Sequence, residues 1–102
     1  GVVRVLTMDP AMEDRIAAGF ELTERGLNIR MSPAAIKQTC VQISNALKKH
    51  EQQLEHSILL VSPRIRPALR RITVDRLPDL RILCHNEITR DTNTEAVGMV
   101  TD

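Results

Sequence analysis

Apolar residues along this chain change their spacing from two to three-and-four and back again, and each change marks an element. Val2–Met8 is apolar and β-branched, interrupted at Arg4 and Thr7, and predicts a strand. Asp9-Pro10 follows as a helix cap with proline at the first helical position, and Glu13 and Asp14 lie near the positive end of the helix dipole. Met12, Ile16 and Phe20 recur every four residues. This stripe predicts a helix from Pro10 to about Glu24, with Gly26 as its stop and Leu27 placed for the apolar contact of a Schellman ending.

Leu27, Ile29 and Met31 alternate with polar residues, the mark of a short extended connector with one buried side. Ser32-Pro33 repeats the cap-plus-proline signal. Ile36, Cys40, Ile43 and Leu47 then form the apolar stripe of a second helix, opposite Lys37, Gln38, Asn45 and Lys48. Residues 48–55 are almost wholly polar and leave the end of that helix open. Ile58–Val61 is a continuous apolar run, as in a strand covered on both faces.

Ile65, Leu69 and Ile72 give a third helix its stripe, and Pro67 requires that helix to begin near Arg66. Leu77-Pro78-Asp79 ends it, Leu80–Cys84 is the next strand, Arg90–Asn93 a turn, and Glu95–Thr101 the last strand. The predicted order is β-α-α-β-α-β-β. It describes one α/β domain over residues 1–102, bordering on α+β, with a mixed sheet and a parallel, right-handed β-α-β crossover.

Composition narrows what such a domain does. Of 102 residues 42% are hydrophobic, but only Phe20 is aromatic, so the core is built from Leu, Ile, Val, Met and Ala. Met8, Met12, Met31 and Met99 read as its gap-fillers. Aromatic poverty and a net charge of +1 disfavour a nucleic-acid surface, which needs stacking platforms and a basic field. Cys40 and Cys84 stand far apart without a CxxC partner and read as reduced, buried thiols. No apolar run reaches the ~20 residues of a membrane span. A strand-like run starting directly after Gly1 reads as the beginning of a fragment.

The basic residues are unevenly placed. Arg64, Arg66, Arg70, Arg71, Arg76 and Arg81 crowd into residues 64–81 against Asp75 and Asp79. A strand running through Ser62-Pro63 into a helix could offer backbone N–H groups and arginines to an anion, although no glycine-rich loop accompanies it and two prolines remove donors. The plain reading is a helix start with a solvated arginine face, and a protein contact ranks next. A small enzyme or phosphate-binding regulator using Ser62, Arg66, His85 and Glu87 is the alternative, since sheets of this class place ligands at strand exits. His50, His56 and His85 follow no metal-binding spacing, so neither a metal nor a cofactor is expected. Cys84 and His85, as strand neighbours, point to opposite faces and make a poor nucleophile–base pair.

Four stretches, VLTMDPAME (Val5–Glu13), LLVSPRIRPALRR (Leu59–Arg71), LPDLRILCHNEI (Leu77–Ile88) and VGMV (Val97–Val100), together resemble the C-terminal cytoplasmic region of the FHIPEP family, the FlhA/InvA-type export-gate proteins of flagellar and type III secretion. The chain departs from that pattern at Cys84, where the family usually has Ser, and at Thr89-Arg90, where Pro-Asp is commoner.

The resemblance implies a non-catalytic interaction domain, the last cytoplasmic subdomain of a multi-pass protein of the bacterial inner membrane, with the flagellar wording slightly favoured. It implies a ring of nine copies that receives export substrates and chaperones, mostly through other subdomains, and couples to the export ATPase through its stalk protein. Membrane attachment would lie in the N-terminal part of such a protein. Arg64, Arg66, Arg70 and Arg71 are the expected contact face for an acidic helical partner, with Asn86 and Glu87 as further contacts.

Overall fold

A computed structural model describes residues 2–85 and 92–102. Its elements are β1 (Val2–Met8), α1 (Pro10–Ala18), β2 (Phe20–Thr23), β3 (Gly26–Ile29), α2 (Pro33–Lys49), β4 (Ile58–Val61), α3 (Arg66–Thr73), β5 (Arg81–Cys84) and β6 (Asn93–Val100). Four strands form one sheet in the order β5-β4-β1-β6, with every neighbouring pair parallel. The β4-α3-β5 crossover is therefore parallel, as the spacing predicts. The sheet itself is not mixed: its antiparallel counterpart is a separate two-stranded hairpin, β2-β3.

That hairpin corrects the predicted first helix. The stripe of Met12 and Ile16 does extend to Phe20, but α1 stops at Ala18, and the Gly19 N–H bonds the Ile16 carbonyl at 2.9 Å. Gly19 then sits so close to Met31 that a Cβ there would lie 2.5 Å from the Met31 side chain. The Arg30 N–H bonds the Gly19 carbonyl at 2.7 Å, which ties the returning strand to the helix end. Phe20 pairs with Ile29 in the hairpin and packs against the core from there. The Thr23 hydroxyl accepts from the Arg25 N–H and donates to the Gly26 carbonyl across the tight turn. Gly26 has φ +115°, a conformation that side chains resist.

The caps are where the dipeptides predict them. Asp9 Oδ1 accepts from the Ala11 N–H at 3.1 Å, and Ser32 Oγ accepts from the Ala35 N–H at 3.1 Å. α2 ends at Lys49, at the start of the polar run. α3 begins at Arg66 with proline in its first turn but has no side-chain cap.

One face of the sheet carries the main core. Leu6, Leu59, Val61 and Val100 meet Met12 and Ile16 of α1, Ile43 of α2, and Leu69 and Ile72 of α3. The opposite face holds a smaller cluster of Val5, Ile58 and Leu60. All four residues of β4 are buried, as a strand covered on both faces requires. Buried Thr39 and Thr73 donate to the carbonyls four residues back, at 2.9 and 2.8 Å. Met8 and Met12 are buried and Met31 packs on the core, but Met99 is 50% exposed and does not fill it. Both cysteines are buried free thiols.

Candidate functional site

The exits of β1 and β4 lie side by side, because Leu6 pairs with Leu59 and Thr7 with Leu60 in parallel register. Each strand leads directly into a helix, so the first turn of α1 faces the loop before α3. Glu13 reaches across, and the Ser62 N–H donates to its Oε2 at 2.7 Å. Asp14, the next residue, pairs with Arg64 on the surface. The N–H that an external anion would need is thus occupied by the protein's own carboxylate, in a short charge-assisted bond. The Ser62 hydroxyl is buried with no hydrogen-bond partner among the described residues.

Arg66 faces inward as well. It is half-buried, and its Nε donates to the Ile82 carbonyl of β5 at 3.2 Å, fastening α3 to the edge strand it precedes. Arg70 and Arg71, in the last turn of α3, are exposed, and no ion pair among the described residues holds them. Cations at that position also complement the negative end of the helix dipole. The six crowded arginines therefore divide. Arg64 is paired, Arg66 is a fastener, and Arg70, Arg71, Arg76 and Arg81 face solvent.

The alternative grouping of Ser62, Arg66, His85 and Glu87 finds no support in these contacts. The Ser62 backbone and Arg66 serve internal bonds with Glu13 and Ile82, and His85 is exposed beyond β5. Asn86 and Glu87, like residues 88–91, lie outside the described residues. Cys84, the last residue of β5, is buried, while His85 beyond it is exposed. Among the described residues no group of three or more His, Cys, Asp or Glu side chains gathers to hold a metal, and no helix is long and apolar enough to cross a membrane.

Several contacts escape sequence reasoning. Glu13 reads as a dipole partner in its own helix, yet its bonding partner is 49 residues away. Only the adjacency of two parallel strand exits would reveal the pair. Asp102 accepts from Gln42 and pairs with Arg15, joining α1, α2 and the end of β6, and the Arg15 hydrogen bond holds its carboxyl below the usual range. His50, the residue capping α2, packs its ring where a side chain on Gly98 of β6 would stand. The glycine of VGMV makes room for that ring. Burial raises the Cys40 thiol, opposed by the nearby charge of Arg76, so this cysteine stays protonated and donates to the Ile72 carbonyl at 3.4 Å.

Known proteins share both the sequence and the fold. The flagellar biosynthesis protein FlhA of Bacillus subtilis (strain 168) is 26% identical over 99 residues, covering 97% of this chain and 15% of that protein. The chain thus spans a small part of this relative's length. Among solved structures, CdsV of Chlamydia pneumoniae in its complex with CdsO superposes with a TM-score of 0.80 at 18% identity, over 98% of this chain and 29% of that one. The nonameric EPEC SctV-C gives 0.79 at 16%, over 97% and 29%. At these identities the likeness establishes the fold. The FHIPEP family description matches residues 1–93, nearly the whole chain, and on that match the protein belongs to the FHIPEP family.

Proposed function

We propose that this chain is a non-catalytic protein-interaction module of a flagellar or type III secretion export gate. One observation carries the reading. The motif residues that look most chemical, Glu13, Ser62 and Arg66, are engaged in bonds that hold strand exits and helices together. The cations left over point outward.

Family membership and fold support an export-gate setting. A relative is named for flagellar biosynthesis, a structural neighbour was solved as a nonamer, and another was solved in complex with CdsO. On this reading residues 1–102 act as one subdomain on the cytoplasmic side of the bacterial inner membrane, within a longer multi-pass protein. Its partners are further copies of the same protein in a ring and the export ATPase complex with its stalk protein. Export substrates and chaperones dock mainly through other subdomains. Arg70 and Arg71 are the leading contact residues, Arg64 and Arg66 contribute less because their side chains are engaged, and Asn86 and Glu87 stay contact candidates on sequence alone.

The test is made in the parent organism. Deleting the codons for residues 2–102 from the full-length gene is expected to abolish secretion of the system's substrates and copurification of the stalk protein. Secretion that continues without the segment would refute the reading.

A further inference from the structure

The polypeptide between α3 and β5, where the second of the four motifs gives way to the third, builds a surface of its own. The Leu77 N–H folds back onto the Thr73 carbonyl at 2.7 Å, and the Leu80 N–H onto the Leu77 carbonyl at 3.1 Å. These bonds hold Val74, Leu77, Pro78 and Leu80 as an apolar ridge with a groove on either side. One groove, of 160 Å³, runs between that ridge, Arg70 and Ile82. The other, of 280 Å³, lies on the far side, with Arg76 and Asp79 at its rim. Leu77, Pro78 and Leu80 line both, so the two grooves share this ridge as a common wall and together make the α3–β5 trough. Val74 is 58% exposed at its edge, a large apolar side chain facing water without cover.

The charge around this trough is mixed, with the positive sign in excess. Arg70 lines one groove and Arg76 the other, with Asp79 also at the rim. Residues 70–81 as a whole carry four exposed arginines (Arg70, Arg71, Arg76 and Arg81) against exposed Asp75 and Asp79, two positive charges in excess. No ion pair among the described residues engages any of the four arginines, whereas Arg64, before the start of α3, is already paired with Asp14. An apolar trough with unpaired arginines on its banks is the complement of an amphipathic helix whose apolar stripe is flanked by carboxylates. Such helices seat residues at i, i+3, i+4 and i+7 in a groove, and guanidinium groups bind carboxylates bidentately at the rim.

We infer that the α3–β5 trough, centred on Val74, Leu77 and Leu80 and banked by Arg70 and Arg76, is a docking site for an acidic amphipathic helix of a partner protein. This rests on the interaction-module reading above and specifies the face that it uses. It also shifts the expected contact surface, away from Arg64 and Arg66 at the start of α3 and towards the arginines at and beyond its end.

The probe is a synthetic helical peptide of about five turns with leucine at i, i+3, i+4 and i+7 and glutamate at the flanking positions. A control peptide carries lysine in place of glutamate. Titrated into the isotope-labelled 102-residue chain, the acidic peptide is expected to shift the amide resonances of Val74, Leu77 and Leu80, and the lysine peptide to leave them unmoved. Arg70→Glu with Arg76→Glu is expected to weaken the acidic peptide about tenfold, as reversal of exposed cations at an interface rim does, with the chain still folded and its melting temperature only slightly lowered. Val74→Asp, at an exposed position, is expected to weaken it similarly without touching a charge already present.

Resonances shifting elsewhere, equal binding of both peptides, or indifference to both variants would each overturn the docking site. The double variant is also placed in the full-length protein. If secretion there is normal while peptide binding is lost, the trough is not the working dock. The module reading is then judged separately by the deletion experiment.

Discussion

Arg66 and Arg70 are one helical turn apart on α3 and have opposite fates. Arg66 is half-buried with its Nε on the Ile82 carbonyl, whereas Arg70 is exposed, beside the apolar trough and without an ion pair among the described residues. Helical spacing puts both on the same side of α3. What separates them is β5, which returns close enough to Arg66 for its backbone to claim the guanidinium. The same contrast holds for the two carboxylates of α1: Glu13 bonds a backbone N–H across the strand exits, while Asp14 makes an exposed pair. Residue type in a motif therefore does not tell a fastener from an outward-facing side chain; position relative to the neighbouring strands does.

The core beneath both arginines offers the strongest way to break the comparison. Leu69 is fully buried between them, and Leu69→Ala is expected to cost about 2–5 kcal/mol, read by chemical denaturation. A loss below 1 kcal/mol would mean that α3 does not seat its stripe on the sheet, and the division of its arginines would lose its basis.

Next in size is the link between strand exits. Glu13→Ala is expected to cost about 1.5–3 kcal/mol, because a partly buried N–H loses a charged acceptor. Glu13→Gln keeps an acceptor oxygen and should recover much of that loss. If Ala and Gln are equally mild, Glu13 is no fastener.

The hairpin supplies a smaller effect. Gly26→Ala should cost about 1 kcal/mol through its positive φ, since the added Cβ would meet no neighbour, so any loss reports backbone strain alone.

The smallest effect is one of pH. The Asp102 carboxyl is held below its ordinary value of 3.8 by Arg15, so its folded form loses its proton more readily than its unfolded form. Its contribution is therefore present above pH 3.8 and disappears as the pH falls through the lowered folded value. Thermal melts of the wild type and Asp102→Asn should converge below that range and separate slightly above it. Parallel curves throughout would show that the pair contributes nothing.

Much of this architecture is legible in the residues, for reasons that also explain what is not. Asp9-Pro10 and Ser32-Pro33 announce two helix starts because capping is a local bond within three residues. Ile58–Val61 announces a doubly covered strand because burial on both faces removes every polar position. The hairpin is hidden because Phe20 continues the stripe of Met12 and Ile16, although α1 stops before it at Gly19, a position that the Met31 side chain leaves open to glycine alone. Met99 looks like core by type, yet it lies half-exposed on β6, an edge strand. The candidate site is the least legible part. Its outward cations follow from composition, but the Glu13–Ser62 and Arg66–Ile82 bonds depend on which strands become neighbours, and the trough depends on how residues 74–80 fold back.

The division between the two arginines is tested most directly by measuring thermal stability and acidic-peptide affinity side by side for Arg66→Ala and Arg70→Glu. Arg66→Ala is expected to lose stability by about 1–2 kcal/mol, through the severed bond to Ile82, while its folded fraction binds the acidic peptide normally. Arg70→Glu is expected to lose no more than about 1 kcal/mol, the effect of reversing an exposed charge at the negative end of the helix, and to bind several-fold more weakly. The reverse pattern, with Arg66 governing affinity and Arg70 governing stability, would contradict the account.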